Sequence, residues 1–165
     1  IAMEAIKKNE SANIKIDVRI EPYETPWLEK LNIEILRETL EQTKLDWSEE
    51  LKENDIFFLD SSHIIRPDGD VLKFYLEILP NLKSGVIIHI HDIFTPKNYL
   101  ANWTFEKVRL WNEQYLLEGI LANSDKYEIL LSLNYLKNNY FKTFKDSCPY
   151  LENTTEPGSI YLRVN

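Results

Sequence analysis

Acids and histidines follow two apolar runs of this chain, "DIFFLDSSH" at 55–63 and "GVIIHIHDIF" at 85–94. Asp60 ends the first run, and His63 lies shortly after it; His91 and Asp92 end the second run. Two carboxylates brought close together must share a proton, bind a positive group or bind a metal ion. Carboxylate oxygens suit Mg²⁺, and an imidazole ligand favours a transition metal such as Mn²⁺ or Zn²⁺. The sequence therefore predicts a metal site of Asp60, His91 and Asp92.

A second interpretation of these residues stays open. A strand-end aspartate often caps the helix that follows, which needs no ligand. His89 shares a strand face with His91 but lies further into the sheet, so we expect it to be a hydrogen-bonded core histidine. The "DSSH" sequence does not indicate a serine hydrolase, because the glycines of G-x-S-x-G are missing.

The elements that position these residues are predicted from periodicity. Apolar residues alternate or run continuously in segments typical of strands, at 13–23, 33–36, 55–60, 86–94, 127–133 and 159–164. Helical patterns occupy 25–31, 46–52, 67–85 and 105–124, and 134–158 is expected to be irregular. Alternating strands and helices predict an α/β fold with a Rossmann-like, doubly wound, mostly parallel sheet. The short spacing of the last two strands predicts an antiparallel C-terminal edge strand.

Two helical stripes are expected to face the core. The first consists of Leu72, Tyr75, Leu76 and Leu79. The second consists of Val108, Trp111, Tyr115, Leu116 and Ile120. The 55–60 run is continuously apolar, which is expected of a strand covered on both faces.

Composition limits the class of protein. The 165 residues suffice for one domain, and the formal net charge of −8 argues against a nucleic-acid partner. Cys148 is the only cysteine, which excludes an internal disulfide and favours a cytoplasmic setting. No apolar run approaches the ~20 residues of a membrane span, so no membrane partner is expected. The four glycines form neither G-x-G-x-x-G nor a Walker loop, which disfavours an NAD enzyme or a kinase.

Four segments carry a family resemblance: "IEPYE", "DIFFLDSSH", "EILPNLKSGVIIHIHDIF" and "WNEQYLL". In this order they resemble class I S-adenosylmethionine-dependent methyltransferases. More narrowly, the last three of these segments together resemble a bacterial methyltransferase-domain group found beside sugar, polysaccharide and natural-product genes. The resemblance implies a single, N-terminally incomplete methyltransferase domain over 1–165. The family's first strand and glycine-rich loop are expected upstream of Ile1, and Ile1, Ala5 and Ile6 are typical of the end of an amphipathic helix.

The resemblance also implies a cofactor site. Glu21 would accept hydrogen bonds from the ribose of S-adenosylmethionine. Members of the family often carry an acid that contacts the adenine amine. Gln42 is the nearest candidate for that position, and as a glutamine it differs from the acid. Asp60, Ser61 and Ser62 would line the methionine end of the cofactor.

Metal-dependent methyltransferases of the catechol type supply the implied chemistry. Their ligand positions correspond to Asp60, His91 and Asp92, although His91 replaces an acid, and His63 stands where they carry a basic lysine. A histidine of ordinary pKa near 6.5 suits a general base, so His63 or His91 is expected to take the hydroxyl proton. Trp103, Trp111, Glu113 and Gln114 are expected to form the acceptor wall, or else to belong to a packed helix.

The expected activity is therefore O-methylation of a hydroxyl on a sugar, a glycan or a natural product, assisted by Mg²⁺ or Mn²⁺. Two alternatives stay open. The same acids and histidines could serve a metal-dependent hydrolase or hydroxylase, or the chain could be a non-catalytic module. The sequence leaves the methyl acceptor and the formation of a homo-oligomer undecided.

Overall fold

The computed structural model describes Lys8 and the ranges 18–23, 26–31 and 33–165. The chain divides into two compact units, Ile1–Thr43 and Lys44–Asn165. The predicted N-terminal helix end and the first part of the 13–23 strand lie outside the described residues. The single domain over 1–165 stays a prediction.

The first unit contains a parallel pair of short strands. β1 (Val18–Ile20) lies beside β2 (Glu34–Leu36), with Ile20 opposite Leu36. A 3₁₀ helix at Leu28–Leu31 connects them. Glu21 and the turn that contains Gln42 follow the carboxyl ends of these strands.

The second unit contains a four-stranded sheet with the order β3-β4-β6-β5. The strands are β3 (Ile56–Leu59), β4 (Ile87–His91), β5 (Tyr127–Ser132) and β6 (Ser159–Val164). β3 and β4 are parallel, whereas β6 runs antiparallel to both β4 and β5. β3, β4 and β5 thus run in the same direction, but β3 and β4 are the one pair of parallel neighbours in this sheet. The α/β class is confirmed, and the doubly wound Rossmann-like sheet stays a prediction.

The last strand departs from its predicted position. β6 is antiparallel as expected, yet it lies inside the sheet between β4 and β5 rather than at the edge. Leu162 pairs with Ile88 on one side and with Ile129 on the other. The apolar residues of β6 are buried, and a strand paired along both edges is where such burial is expected.

Six α-helices connect these strands in the second unit. They are α1 (Trp47–Glu50), α2 (Asp70–Lys73), α3 (Ala101–Phe105), α4 (Glu113–Ala122), α5 (Leu133–Asn139) and α6 (Phe141–Ser147). α2 continues as a π-helical segment at Phe74–Ile78 and a 3₁₀ turn at Leu79–Asn81. In the described part of the chain, no helix combines the length and the apolarity needed to cross a bilayer.

The core lies on one face of the sheet. Phe57 packs against Phe74 of the helix after β3 and against Trp47 of α1, with ring centroids 5.2 and 5.0 Å apart. The buried helix residues are Val71, Phe74, Tyr75, Ile78 and Leu79. Leu76 of the predicted stripe is exposed, because the buried positions follow the helical period from Val71 rather than from Leu72.

β3 is not covered on both faces. Ile56 and Phe58 retain 59% and 53% of their surface exposed, while Phe57 and Leu59 between them are buried. The strand therefore alternates as a half-buried strand does.

Two predicted segments differ from the structure. The helix expected over 105–124 is two helices, α3 and α4, joined by a loop at 106–112. Val108 in that loop has a positive φ of 52° and is exposed, as Tyr115 is, so the predicted apolar stripe is interrupted. The expected irregular segment contains α5 and α6, whose many polar residues hide the helical period.

Candidate functional site

Asp60 and Asp92 meet at one edge of the sheet. They directly follow β3 and β4, which are parallel neighbours with Leu59 opposite Ile90. Parallel strands end at the same edge, so residues that follow them lie together. The predicted convergence of these two acids is confirmed, since ligand atoms of Asp60, His63 and Asp92 all lie within 4.8 Å of one another.

The backbone at this edge is bent into an uncommon conformation. His63 and Asp92 have φ of 59° and 54°, in the left-handed region that residues other than glycine seldom adopt. The Asp92 amide donates to the Gly158 carbonyl at 2.8 Å, and the His63 amide donates to Ser61 Oγ at 3.0 Å. Such conformations are retained where surrounding contacts impose them, and they cluster at functional sites.

Glu113 fixes the orientation of His63. Its Oε2 lies 2.7 Å from His63 Nδ1 and accepts a hydrogen bond from Ser61 Oγ, also at 2.7 Å. Glu113 begins α4, and its amide donates to the His63 carbonyl at 3.3 Å. Because a carboxylate accepts from Nδ1–H, the other ring nitrogen of His63, Nε2, is directed at the strand-end acids.

Three acids surround the two histidines. His63 Nε2 lies 3.4 Å from Asp60 Oδ1 and 3.6 Å from Asp92 Oδ2. His91 Nδ1 lies 3.5 Å from Asp60 Oδ1 and 3.2 Å from Asp92 Oδ1. The arrangement concentrates negative charge around a small space between the strand ends.

The pKa values of the site reflect this charge. Burial lowers the pKa of His63, but Asp60 and Glu113 raise it more strongly, to about 9. Asp60 and then Asp92 raise the pKa of His91 to about 10. His63 and His91 hold the pKa of Asp60 well below its usual range. Without a bound cation both histidines are therefore protonated at neutral pH, and the expected ordinary pKa of His63 is wrong.

Two spacings in this group suit a divalent cation. Two ligand atoms, each about 2.1 Å from an ion and separated by an angle of about 90–110°, lie about 3.0–3.4 Å apart. The contacts of His63 Nε2 with Asp60 and Asp92 are close to this spacing and long for a hydrogen bond. A carboxylate behind a ligating imidazole, here Glu113, is also the usual support of a metal-bound histidine.

The compact group of candidate ligands contains His63 in place of the predicted His91. Asp60, His63 and Asp92 form the compact group. His91 lies against both aspartates, and its buried Nδ1 has no hydrogen-bond partner. His89 is satisfied as expected, with Nε2 3.1 Å from Ser159 Oγ and its ring stacked on Tyr161.

The predicted cofactor residues fall in both units. In the first unit, Glu21 Oε1 accepts from the Tyr23 amide at 3.0 Å, and Gln42 Oε1 accepts from the Thr39 amide at 3.2 Å. Asp60, Ser61 and Ser62 belong to the second unit. Asp60 is exposed, and its carboxylate faces the histidines.

The two serines are engaged inside the fold. Ser61 Oγ donates to Glu113, and Ser62 Oγ donates to Asp70 Oδ1 at 2.6 Å. These bonds connect the loop after β3 to α4 and to the start of α2. Their contact with a cofactor stays a prediction.

The expected acceptor wall is divided by the structure. Trp103 and Trp111 are partly exposed and pack edge to face, with centroids 5.2 Å apart. Glu113 and Gln114 are 0% exposed, so neither side chain can form the surface of a wall. Gln114 instead accepts from the Phe94 amide at 2.8 Å and donates to the Lys97 carbonyl at 2.7 Å.

The support of His63 by Glu113 was not predicted from the sequence. One signal was present. Glu113 and Gln114 precede Leu117 by one helical turn, which places two polar residues on the buried side of α4. A buried acid is seldom left without a partner, and His63 is that partner.

Scans of the chain against models of protein families, against curated proteins and against solved structures found no match. The geometry of the site and the resemblance of the four sequence segments are therefore the basis for a function.

Proposed function

We propose that the protein is an S-adenosylmethionine-dependent methyltransferase that methylates a hydroxyl of a sugar or natural product with the help of a divalent cation. The observation that carries the proposal is the group of Asp60, His63 and Asp92 at the carboxyl ends of two parallel strands. Open α/β sheets bind their ligands at this edge. The sequence segments that resemble methyltransferases supply two of these strand ends and the helix that carries Glu113.

Each residue of the site has a defined task in this proposal. Asp60, His63 and Asp92 would hold the cation, and Glu113 keeps His63 Nε2 directed at it. The Trp111 ring lies 4.3 Å from the His63 ring and shields it from water on that side. When bound, the cation lowers the pKa of the acceptor hydroxyl, and S-adenosylmethionine supplies the methyl group.

His91 is better placed than His63 to receive the hydroxyl proton. The side chain of His91 is partly exposed, whereas that of His63 is buried and held by Glu113. Asp60 and Asp92 raise the pKa of His91 because they are negatively charged. Neutralising these carboxylates would return the pKa of His91 towards its ordinary value, at which the neutral imidazole is available.

One observation favours a second candidate. The acid–histidine group lies within the second unit and is complete without Glu21 or Gln42. A metal-dependent hydrolase or hydroxylase could use the same group without S-adenosylmethionine. The two proposals differ in one expectation: the methyltransferase should bind S-adenosylhomocysteine, the product of the cofactor, and the hydrolase or hydroxylase should not.

The test is isothermal titration of S-adenosylhomocysteine into the full-length protein, with and without Mn²⁺ or Mg²⁺. Micromolar binding supports the methyltransferase. The cation should bind wild type and Asp125→Asn alike, because Asp125 is an exposed acid just before β5, at the other end of the sheet from the carboxyl ends of β3 and β4. It should bind Asp60→Asn and Asp92→Asn at least about tenfold more weakly. A folded protein that binds the cation but not S-adenosylhomocysteine would reject the methyltransferase and favour the hydrolase or hydroxylase. Binding of neither would remove both proposals.

A further inference from the structure

Arg109 lies in the loop 106–112 between two indole rings. Its guanidinium carbon is 4.6 Å from the centroid of Trp103 and 4.7 Å from that of Trp111. The Arg109 amide donates to the Trp103 carbonyl at 2.9 Å, which folds the loop back onto α3. The exposed Val108 before it has a positive φ, which a β-branched residue adopts only where surrounding structure imposes it. The loop thus holds Arg109 in a defined place.

Arg109 has no carboxylate partner among the described residues. The guanidinium groups of Arg37 and Arg163 lie 2.5 and 3.7 Å from Glu29 and Glu128. Arg109, by contrast, lies over the faces of the two indoles, and its N–H groups make no side-chain hydrogen bond within the described ranges. An arginine stacked on rings keeps its planar edge free for a carboxylate or a phosphate.

A second cation lies beside Arg109. Lys107 Nζ is 5.9 Å from the Trp103 centroid, and Lys107 forms no ion pair with a described acid. The protein as a whole carries a net charge of −8 and repels anions. Lys107 and Arg109 at the Trp103 ring therefore form a locally positive region on a chain that is negative overall.

This cationic loop adjoins the candidate metal site. Trp111 contacts the His63 ring at 4.3 Å between centroids as well as Arg109, so one indole separates the guanidinium from the acid–histidine group. A sugar bound beside Arg109 and the partly exposed Trp111 would have a hydroxyl on the side of His63 and a substituent at the guanidinium.

We propose that Arg109, between Trp103 and Trp111, is the subsite for a negatively charged substituent of the acceptor, a carboxylate or a phosphate on a sugar. The inference rests on the proposed function, because it assigns the acceptor of that same site. Arg109 is a specificity-determining residue that binds the charged group through its N–H edge. Lys107 adds charge but, as a flexible ammonium, no planar recognition.

The test measures acceptor binding alone, in protein freed of metal ions, so that a cation cannot recruit the anion. D-glucuronate, D-glucose 6-phosphate and uncharged D-glucose are titrated at equal ionic strength into protein labelled with ¹⁵N. The four indole N–H signals, from Trp27, Trp47, Trp103 and Trp111, report the position of binding. We expect the charged sugars to shift Trp103 and Trp111, and to bind at least about tenfold more tightly than glucose.

Matched variants separate the subsite from general charge. Arg109→Gln keeps a planar group near the indoles and should abolish the preference for charged sugars. Arg163→Gln removes an equal charge from β6 and should preserve it. A preference for glucuronate alone identifies a carboxylate, and one for the phosphate alone identifies a phosphate ester.

Two results would overturn the subsite: equal binding of charged and uncharged sugars by wild type, or an unchanged preference in Arg109→Gln. The titration contains no S-adenosylhomocysteine, so it fails or succeeds independently of the proposed methyltransferase. If the protein binds the charged sugars but not S-adenosylhomocysteine, the subsite is supported and the methyltransferase is rejected. If the protein binds S-adenosylhomocysteine but shows no preference for charged sugars, only the subsite is rejected.

Discussion

At the scale of single residues, Glu113 organises the site. It is a fully buried acid whose Oε2 contacts His63 Nδ1 and Ser61 Oγ at the same 2.7 Å. His63 therefore presents Nε2 to Asp60 and Asp92 in a fixed direction. A supporting carboxylate of this kind contributes to metal affinity without touching the metal.

Glu113→Gln should weaken Mn²⁺ binding by about 10- to 100-fold, because the amide still accepts from Nδ1 but supplies no negative charge. Isothermal titration measures the affinity, and circular dichroism confirms that the variant is folded. Glu77→Gln is the matched control, since the Glu77 carboxylate pairs with Lys73 on the surface. An affinity within twofold of wild type would show that Glu113 has a structural role alone.

His89 makes the stability of the protein depend on pH. Burial and the nearby His91 lower the pKa of His89 from 6.5 to about 4. Because the folded-state pKa is lower, the unfolded chain takes up this proton first as the pH falls. The contribution of His89 is thus complete above pH 6.5 and is lost as the pH falls towards about 4.

His89→Gln should remove this dependence, since glutamine can keep the hydrogen bond to Ser159 without titrating. Between pH 7.5 and 4.5, wild type should lose on the order of 1–2 kcal/mol more unfolding free energy than the variant, after allowance for partial exposure. Urea unfolding at the two pH values measures the difference. Equal losses in both proteins would contradict the assignment.

At the scale of elements, the turn before β4 holds the sheet in register. The Gly85 amide donates to the Val164 carbonyl at 2.8 Å, and its carbonyl accepts from Asn54 at 2.9 Å. Gly85 has a φ of +86°, and a Cβ there would overlap the Glu53 side chain and lie 3.1 Å from Glu53 Cα. A residue other than glycine is disfavoured by both conformation and space.

Gly85→Ala should lower the free energy of unfolding by about 1–3 kcal/mol. Gly119→Ala is the matched substitution, because a Cβ at Gly119 in α4 meets nothing within 4 Å. It should raise the free energy of unfolding by about 0.5–1 kcal/mol through helix propensity. Chemical denaturation measures the free energy of unfolding of both variants. A Gly85→Ala protein as stable as wild type would contradict the prediction.

At the scale of the whole molecule, a bound cation should stabilise the fold that brings its ligands together. Asp60, His63 and Asp92 come from two strand ends that are separate in the unfolded chain. Binding to the folded state alone raises the free energy of unfolding by about 2.7 kcal/mol at a hundredfold excess over Kd. Thermal unfolding of wild type should therefore shift upwards with Mn²⁺ and return with a chelator.

Asp92→Asn should reduce this shift by about half or more, whereas Asp125→Asn should retain it. An equal Mn²⁺ shift in Asp92→Asn would place the cation elsewhere. A shift absent from wild type at saturating Mn²⁺ would reject the metal site.

The sequence by itself determined the parts that depend on local pattern. The apolar runs before Asp60 and Asp92 predicted β3 and β4, and their parallel pairing followed from the helix between them. Local sequence therefore indicates where strands end in acids. It also marks helix starts, since Asp46 lies at the start of the 46–52 pattern and accepts from the Ser48 amide as the N-cap of α1.

Only the tertiary structure decided what joins distant segments. The insertion of β6 between β4 and β5 depends on pairing along both edges of a strand, which no local period encodes. The contact of Glu113 with His63 and the stacking of Arg109 between Trp103 and Trp111 depend on where the 106–112 loop folds. Local periodicity reports which face of an element is buried, whereas the partner across the interface is chosen by the packing of the whole chain.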